Sequence, residues 1–314
     1  MICTPICKLC GIKYPVFQGG MAHISDARLA AAVSNAGGLG IITSASGDIK
    51  WLKEQLELMD SLTDKPYGVN VMLLGRNVDE VAEVVAQSRA AVVTTGAGNP
   101  SRFMKLWKDA GIIVIPVVAS CAMAKLVERS GADAVIAEGC ESGGHVGEMT
   151  TMALIPQVCD AVNIPVIAAG GIADGRGIAA VFMLGAKGVQ IGTRFLSAKE
   201  CGISEVYKEK LLKANDTSTI VTGKRLGHPV RSIKSPLSRR LAKAEYTDIS
   251  DEELDKMAVG SLKAAVADGD VQQGCFLAGQ IAGLVNKEQT AKEIIDEMVA
   301  ETDKVFEEAA KWAN

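Results

Sequence analysis

Histidine is nearly missing from this chain: three imidazoles, at positions 23, 145 and 228, serve 314 residues. Other things are lacking as well. No apolar run reaches the roughly 18 to 20 uncharged residues that a bilayer span needs, so a membrane protein is not expected. The first residues do not follow the basic, apolar, small-residue order of an export signal, which makes a cytoplasmic location the expectation. There is no excess of positive charge. With 33 Lys/Arg against 37 Asp/Glu the formal charge is −4, which argues against nucleic acid held by overall charge. No G-x-G-x-x-G follows a first strand, so a Rossmann dinucleotide domain is unsupported.

Cysteine is present eight times but without the pairing of a zinc site. Cys121, Cys140, Cys159, Cys201 and Cys275 are widely separated. Only "CTPICKLC" is dense, placing Cys3, Cys7 and Cys10 in a C-x3-C-x2-C spacing. Such a spacing can hold three irons of a four-iron cluster, but it should follow a first barrel strand, and no strand precedes it. The plainer expectation is a short amphipathic turn in which Ile6 and Leu9 pack and the thiols fill space. No metal site is expected.

What is abundant is an alternation of short apolar runs with amphipathic stretches. Strands are predicted at 14–18, 39–43, 67–73, 90–95, 112–118, 133–138, 165–170 and 188–193. Their near-continuous apolar character suits parallel strands buried on both faces. Helices are predicted between them, the first opening on a Ser/Asp cap in "SDARLAAAVSNAGG" and stopping at Gly-Gly. Eight such units predict an α/β fold, a (β/α)8 TIM barrel. A doubly wound open sheet explains eight consecutive units less economically.

The rhythm breaks after "GTRFLSAKE". Residues 199–274 read as a smaller inserted lid beyond the eighth strand, with the barrel in 1–198 and 275–314. From Lys199 to Lys243 there are eleven Lys/Arg and four acidic residues, a local balance of +7. This is either a solvated face or a docking surface for an acidic partner.

Barrel active sites lie at the C-terminal ends of the strands. Those ends read "QGGMAH" (Gly20, Met21, Ala22), "TSAS" (Thr43), Asn70, "TTGAGNP", "EGCESGGH" (Glu138, Ser142, Gly143, Gly144, His145), "AGGIADG" (Gly170, Gly171) and "IGTRF" (Gly192, Thr193). Small residues at so many strand ends let backbone N–H groups approach a planar, phosphorylated ligand. The last two segments sit where barrels commonly bind phosphate. Asn70 is suited to hydrogen-bond a flat heterocycle. A phosphate and a flat ring together suggest FMN.

The chain resembles the flavin-dependent enoyl-acyl carrier protein reductase II family, within the wider nitronate monooxygenase-like group of FMN barrels. "GGIADG", "QIGTRF" and "ESGGH" are shared with the wider group, while "TTGAGNP", "GHPVR" and "AGQIAGLV" point to the reductase. The matching stretches run across nearly the whole chain. The resemblance implies a barrel with an inserted lid, a homodimer, non-covalent FMN, and NADH or NADPH as co-substrate. It implies an enoyl chain on acyl carrier protein as substrate and leaves a monovalent-cation requirement open. One departure is His23, which stands where the family usually has an aromatic residue, commonly Trp.

In that setting His145 is expected to protonate the α-carbon of the reduced thioester, or to hydrogen-bond its enolate oxygen. Gly143 and Gly144 would let its loop come close to the flavin. Three other readings remain. A nitronate monooxygenase would use the same histidine to deprotonate a nitroalkane. A radical enzyme would use the three N-terminal cysteines. A non-catalytic flavin-binding module would bind FMN without turnover.

Overall fold

A computed structural model describes residues 2–313. Each predicted strand is present, shorter by a residue or more: β1 Val16–Gln18, β2 Gly40–Thr43, β3 Tyr67–Met72, β4 Val92–Gly96, β5 Ile113–Val118 and β6 Val135–Glu138. A two-residue strand, β7 Gly144–His145, then precedes β8 Val166–Ala169 and β9 Gly188–Ile191. All neighbours in the order β1-β9-β8-β6-β5-β4-β3-β2 are parallel. Gln18 N donates to Leu39 O at 3.0 Å and Leu39 N to Val16 O at 2.9 Å, which closes β1 onto β2. The sheet is therefore a barrel with helices between its strands.

The apolar runs serve both faces, because successive side chains on a strand point opposite ways. Phe17, Ile41, Val92, Ile115, Ile136 and Ile167 pack together inside the barrel. Val16, Ile42, Val69, Val93, Val135 and Val189 belong to the outer core beneath the helices. Side-chain caps set several helix starts. Asp26 accepts from Leu29 N, Asp48 from Trp51 N, and Ser120 from Met123 N. The cap of helix Ala27–Asn35 is Asp26, and the neighbouring Ser25 is used elsewhere.

The cysteine-rich start is helix Pro5–Cys10. Ile6 and Cys10 join the inner-barrel cluster, with Leu9 packed against it, so this helix plugs the barrel floor. Burial pushes the Cys10 thiol up to about 12, far from the thiolate form a metal requires. Cys3 is exposed while Cys7 is buried.

Beyond β9 the chain forms helix Glu205–Leu212, β10 Thr219–Thr222, β11 Val230–Ile233 and helices Pro236–Ala244 and Asp251–Lys256. β11 pairs antiparallel with β10 and with β12 Phe276–Leu277. It also pairs with β7, setting Val230 opposite His145 and Arg231 opposite Gly144. Leu237, Leu241 and Leu254 make a small core of their own. The "CFLAG" segment thus joins this small sheet rather than the barrel wall. Helix Ala291–Ala310 then returns to the barrel and packs on helices Gly175–Met183 and Ala27–Asn35. Among the described residues, no helix is long and apolar enough to cross a membrane.

Candidate active site

Inside the barrel, the lower layers are apolar and the upper ends turn polar. Asn70, Glu138 and Gln190 stand at the C-terminal ends of β3, β6 and β9 and line a cavity of about 590 Å3. That size falls within the range of small-molecule sites. Gly20, Met21 and Ala22 form its wall after β1, and Ser142, Gly143, Gly144 and His145 its wall after β6. Gly170 and Gly171 line it after β8, Gly192 and Thr193 after β9. Thr43 is the exception among the candidate residues. It is fully buried at the end of β2, accepts from Ala45 N at 3.2 Å, and does not line this cavity.

The loop after β1 is tied down by residues that sequence reasoning passed over. Ser25 Oγ accepts from Met21 N at 2.8 Å and from Gln18 Nε2 at 2.7 Å, and donates to Gly19 O at 3.0 Å. Gln18 Oε1 accepts from Ile41 N at 3.1 Å, locking this assembly to β2. Both side chains are fully buried, so the polar bonds hold Gly20 to Ala22 against the cavity.

The loop after β6 is held from three sides. The Glu141 carboxylate accepts from Thr151 N and Thr151 Oγ1, each at 2.9 Å, at the start of helix Thr151–Ala161. Its own carbonyl accepts from Gln280 N at 2.9 Å. Arg231, buried on β11, donates from Nε and Nη2 to Cys140 O at 3.3 and 3.0 Å. Glycine is required by space here. A Cβ on Gly143 would stand 2.6 Å from the carbonyl carbon of Ala278, and one on Gly170 2.6 Å from Gly139 O. Gly170 and Gly171 also carry positive φ, 84° and 76°.

Three polar groups face the cavity with bonding capacity left over. Gln190 Oε1 is buried without a hydrogen-bond partner, and Ser142 Oγ, buried beside the Glu138 carboxyl, makes no hydrogen bond of good geometry. Asn70 donates through Nδ2 to Thr94 Oγ1 at 3.0 Å, which leaves its carbonyl oxygen open. Thr193 is partly committed, its Oγ1 accepting from Gly279 N at 2.8 Å. Burial pushes the Glu138 carboxyl up to about 7, and the nearby Ser142 side chain only partly offsets it. Buried polar atoms without partners are uncommon, and a cluster of them facing one cavity marks a place for a polar ligand.

His145 stands exposed at the cavity wall, its backbone fixed by β7–β11 pairing. Although the residue keeps an exposed edge, partial desolvation at the cavity wall pulls the imidazole below its ordinary 6.5, and the His228 imidazole, which also lines the cavity, pushes the same way. Both effects favour the neutral ring. His23 does not line this cavity.

No Lys or Arg lines the cavity, so an anion there must be held by backbone N–H groups and hydroxyls. The two glycine turns differ in this respect. Helix Gly175–Met183 is capped by its own Asp174, which accepts from Arg176 N and Gly177 N. The 3-10 turn Thr193–Ser197 starts at Gly192 with no side-chain cap, leaving its first amides open toward a ligand.

A closed (β/α)8 barrel with its pocket at the C-terminal strand ends, walled by glycines and lined by the imidazoles of His145 and His228, defines a ligand-binding barrel of the enzyme type. The chain belongs to the nitronate monooxygenase family, whose family model matches residues 4–84 and 73–301. The structure of FabK from Thermotoga maritima is 46% identical, covering 99% of this chain and 100% of that chain with a TM-score of 0.97. A Mycobacterium tuberculosis protein named (3aS,4S,5R,7aS)-5-hydroxy-7a-methyl-1-oxo-octahydro-1H-indene-4-carboxyl-CoA dehydrogenase is 33% identical over 94% of this chain and 95% of its own. A probable nitronate monooxygenase of Staphylococcus saprophyticus is 31% identical over 96% of this chain and 98% of its own. These relatives are oxidoreductases, and the enoyl-acyl carrier protein reductase resemblance agrees with the FabK match.

Proposed function

We propose that this protein is an FMN-dependent enoyl thioester reductase. It reduces trans-2-enoyl chains on acyl carrier protein with NADH or NADPH and works as a homodimer. The observation that carries the reading is the 46% identity to FabK over 99% of this chain. The Mycobacterium tuberculosis relative is named for a carboxyl-CoA substrate, which supports a thioester as the substrate class.

The cavity fits FMN on its own residues. Ser142 Oγ, Gln190 Oε1 and the open carbonyl of Asn70 would meet the polar edge of the ring. Gly171, Gly192 and Thr193 would hold the phosphate through backbone amides. When bound, FMN would take hydride from the nicotinamide and deliver it to the β-carbon of the enoyl thioester.

The protein's part is orientation and charge stabilisation. A neutral His145 donates its ring N–H to the thioester oxygen as negative charge gathers there. The exposed loop lets water supply the proton that the α-carbon gains. The lowered imidazole pKa supports hydrogen bonding to the enolate; direct donation of the ring proton to the α-carbon is the other role, and the pH profile of turnover separates the two.

The basic stretch expected to dock acyl carrier protein is partly used internally. Lys208 pairs with Glu288 at 2.7 Å, Lys213 with Glu209 at 3.0 Å and Arg225 with Asp251 at 2.9 Å. Over 199–274 as a whole, 13 Lys/Arg face 12 Asp/Glu, so the excess over 199–243 is local. Lys224, Lys234, Arg239 and Lys243 remain exposed for an acidic partner.

A specific observation favours a second reading. A neutral imidazole is also a ready base, as a nitronate monooxygenase needs, and the relatives include that name. Anaerobic stopped-flow absorbance separates the two. Flavin reduced by NADH and reoxidised by crotonyl thioester without oxygen supports the reductase. Reoxidation only by oxygen, with nitroalkane consumed, supports the monooxygenase.

A further inference from the structure

We infer that a second cavity beside the active site receives the far end of the substrate's acyl chain and is built for a neutral, hydrogen-bonding terminus such as a hydroxyl or keto group. This inference rests on the thioester reading above. The cavity holds about 300 Å3 and is formed by the loops after β1, β2 and β3. Met72 and Gly75 line it and the main cavity alike, so the two share a wall.

One of its polar groups is buried and short of a partner. Ser46 Oγ is buried and makes no hydrogen bond. Asn77 stands at the N-cap of helix Val78–Ala86, a position where its side chain would ordinarily accept from the backbone, and it does not cap. Ser44 Oγ accepts from Met72 N at 3.3 Å and keeps its proton to give. Facing them is His23, held at a φ of 61°. A left-handed histidine costs energy and persists only where its surroundings impose it. Ile24 N and Ser25 N both donate to Met21 O, at 3.0 and 2.9 Å, and those bonds impose it here.

The lining also says what does not belong. No Lys, Arg, Asp or Glu lines this cavity, so it offers no carboxylate to an amine and no cationic Lys or Arg to a carboxylate. Val78, Val81 and Ala45 supply an apolar side for methylene groups. Apolar flanks with a buried unpartnered hydroxyl, Ser46 Oγ, and the Ser44 hydroxyl close by match an alkyl chain that ends in oxygen. The His23 imidazole adds a donor or acceptor to the lining.

The test is kcat/KM of the flavin-loaded enzyme on a ladder of 2-enoyl thioesters from crotonyl upward, each longer chain paired with its ω-hydroxy form. The expected result is a preference for the hydroxy form of roughly three- to tenfold at the chain length that reaches the cavity, the scale of one well-placed hydrogen bond. His23→Trp should abolish that preference and shorten the longest chain accepted. Ser46→Ala, a smaller change, should reduce the preference by itself and keeps the test readable if the indole disturbs folding. Equal kcat/KM for the two series, with crotonyl reduced normally, overturns the inference alone. A His23→Trp effect confined to the KM for NADH or NADPH overturns it too, by giving the cavity to the nucleotide. No crotonyl reduction at all overturns it through the reading beneath it.

Discussion

The guanidinium of Arg231 reaches the carbonyl oxygen of Cys140 through two N–H groups, at 3.3 and 3.0 Å, across 91 positions of chain. Its third contact, Nη1 to Thr219 Oγ1 at 3.2 Å, fixes the plane of the fork. This joins the histidine loop to the small sheet beyond the barrel. Arg231→Met should leave a buried carbonyl unpaired, costing about 1–3 kcal/mol of stability. Thioester turnover should fall at least tenfold with flavin still bound, because His145 loses its frame. Arg231→Lys should not restore it, since one ammonium cannot reproduce a planar fork. Thermal unfolding, flavin content and kcat/KM of the two variants check this, and a fully active Lys variant would contradict it.

His145→Ala should retain flavin and lose roughly 10²- to 10⁴-fold in enoyl reduction. The pH profile carries the sign. The folded imidazole lies below its ordinary 6.5, so the neutral form predominates at pH 7. Activity should therefore fall on the acid side, below 6.5, and hold steady above it. A profile that instead fell on raising the pH through neutrality would mean that the cationic ring donates the proton.

Glu138 gives a stability test. Its folded carboxyl sits at about 7 against an ordinary 4.5, a raised value. The stability it contributes is therefore present below 4.5 and lost as pH rises through about 7. In protein stripped of its ligand, Glu138→Gln should raise Tm at pH 8 and change it little at pH 4. Because the side chain faces an open cavity and is not sealed in the core, the expected gain is about 1–2 kcal/mol, below the full linkage value. An equal effect at both pH values would refute the assignment.

Gly143→Ala should be far more damaging than an ordinary loop substitution. Its Cβ would press on backbone, Ala278 C at 2.6 Å and Gly279 N at 2.7 Å, where no side chain can swing aside. The two loops should part, with loss of bound flavin and most activity. Absorbance of the purified variant near the flavin bands reads the outcome.

The exposed Lys224, Lys234, Arg239 and Lys243 should make kcat/KM for carrier-bound substrate fall with salt, while that for a pantetheine thioester stays nearly level. The slope should be shallow, since several cations of this stretch are already paired. Parallel salt curves for the two substrates would remove the docking role.

Local order made the barrel readable from residues alone. Parallel strands buried on both faces must be apolar throughout, and their helices must start at caps and stop at glycines, so eight units stand out in the chain. The glycine-rich strand ends and His145 were visible for the same reason. Several things were not. The small sheet pairs two residues at 144–145 with segments far along the chain, and antiparallel pairing at that range leaves no local period. Gln18, Ser25, Glu141 and Arg231 look like ordinary polar residues until folding buries them beside backbone groups that need partners. Thr43 sits at a strand end like its neighbours, yet it is fully buried and does not line the cavity. Sequence alone determined where the chemistry gathers, because composition and period are local. Tertiary structure decided the direction in which the His145 and Glu138 pKa values move, the place of His23 in a second cavity and which cations of the basic stretch are paired, because burial and charge neighbours exist only once distant segments meet.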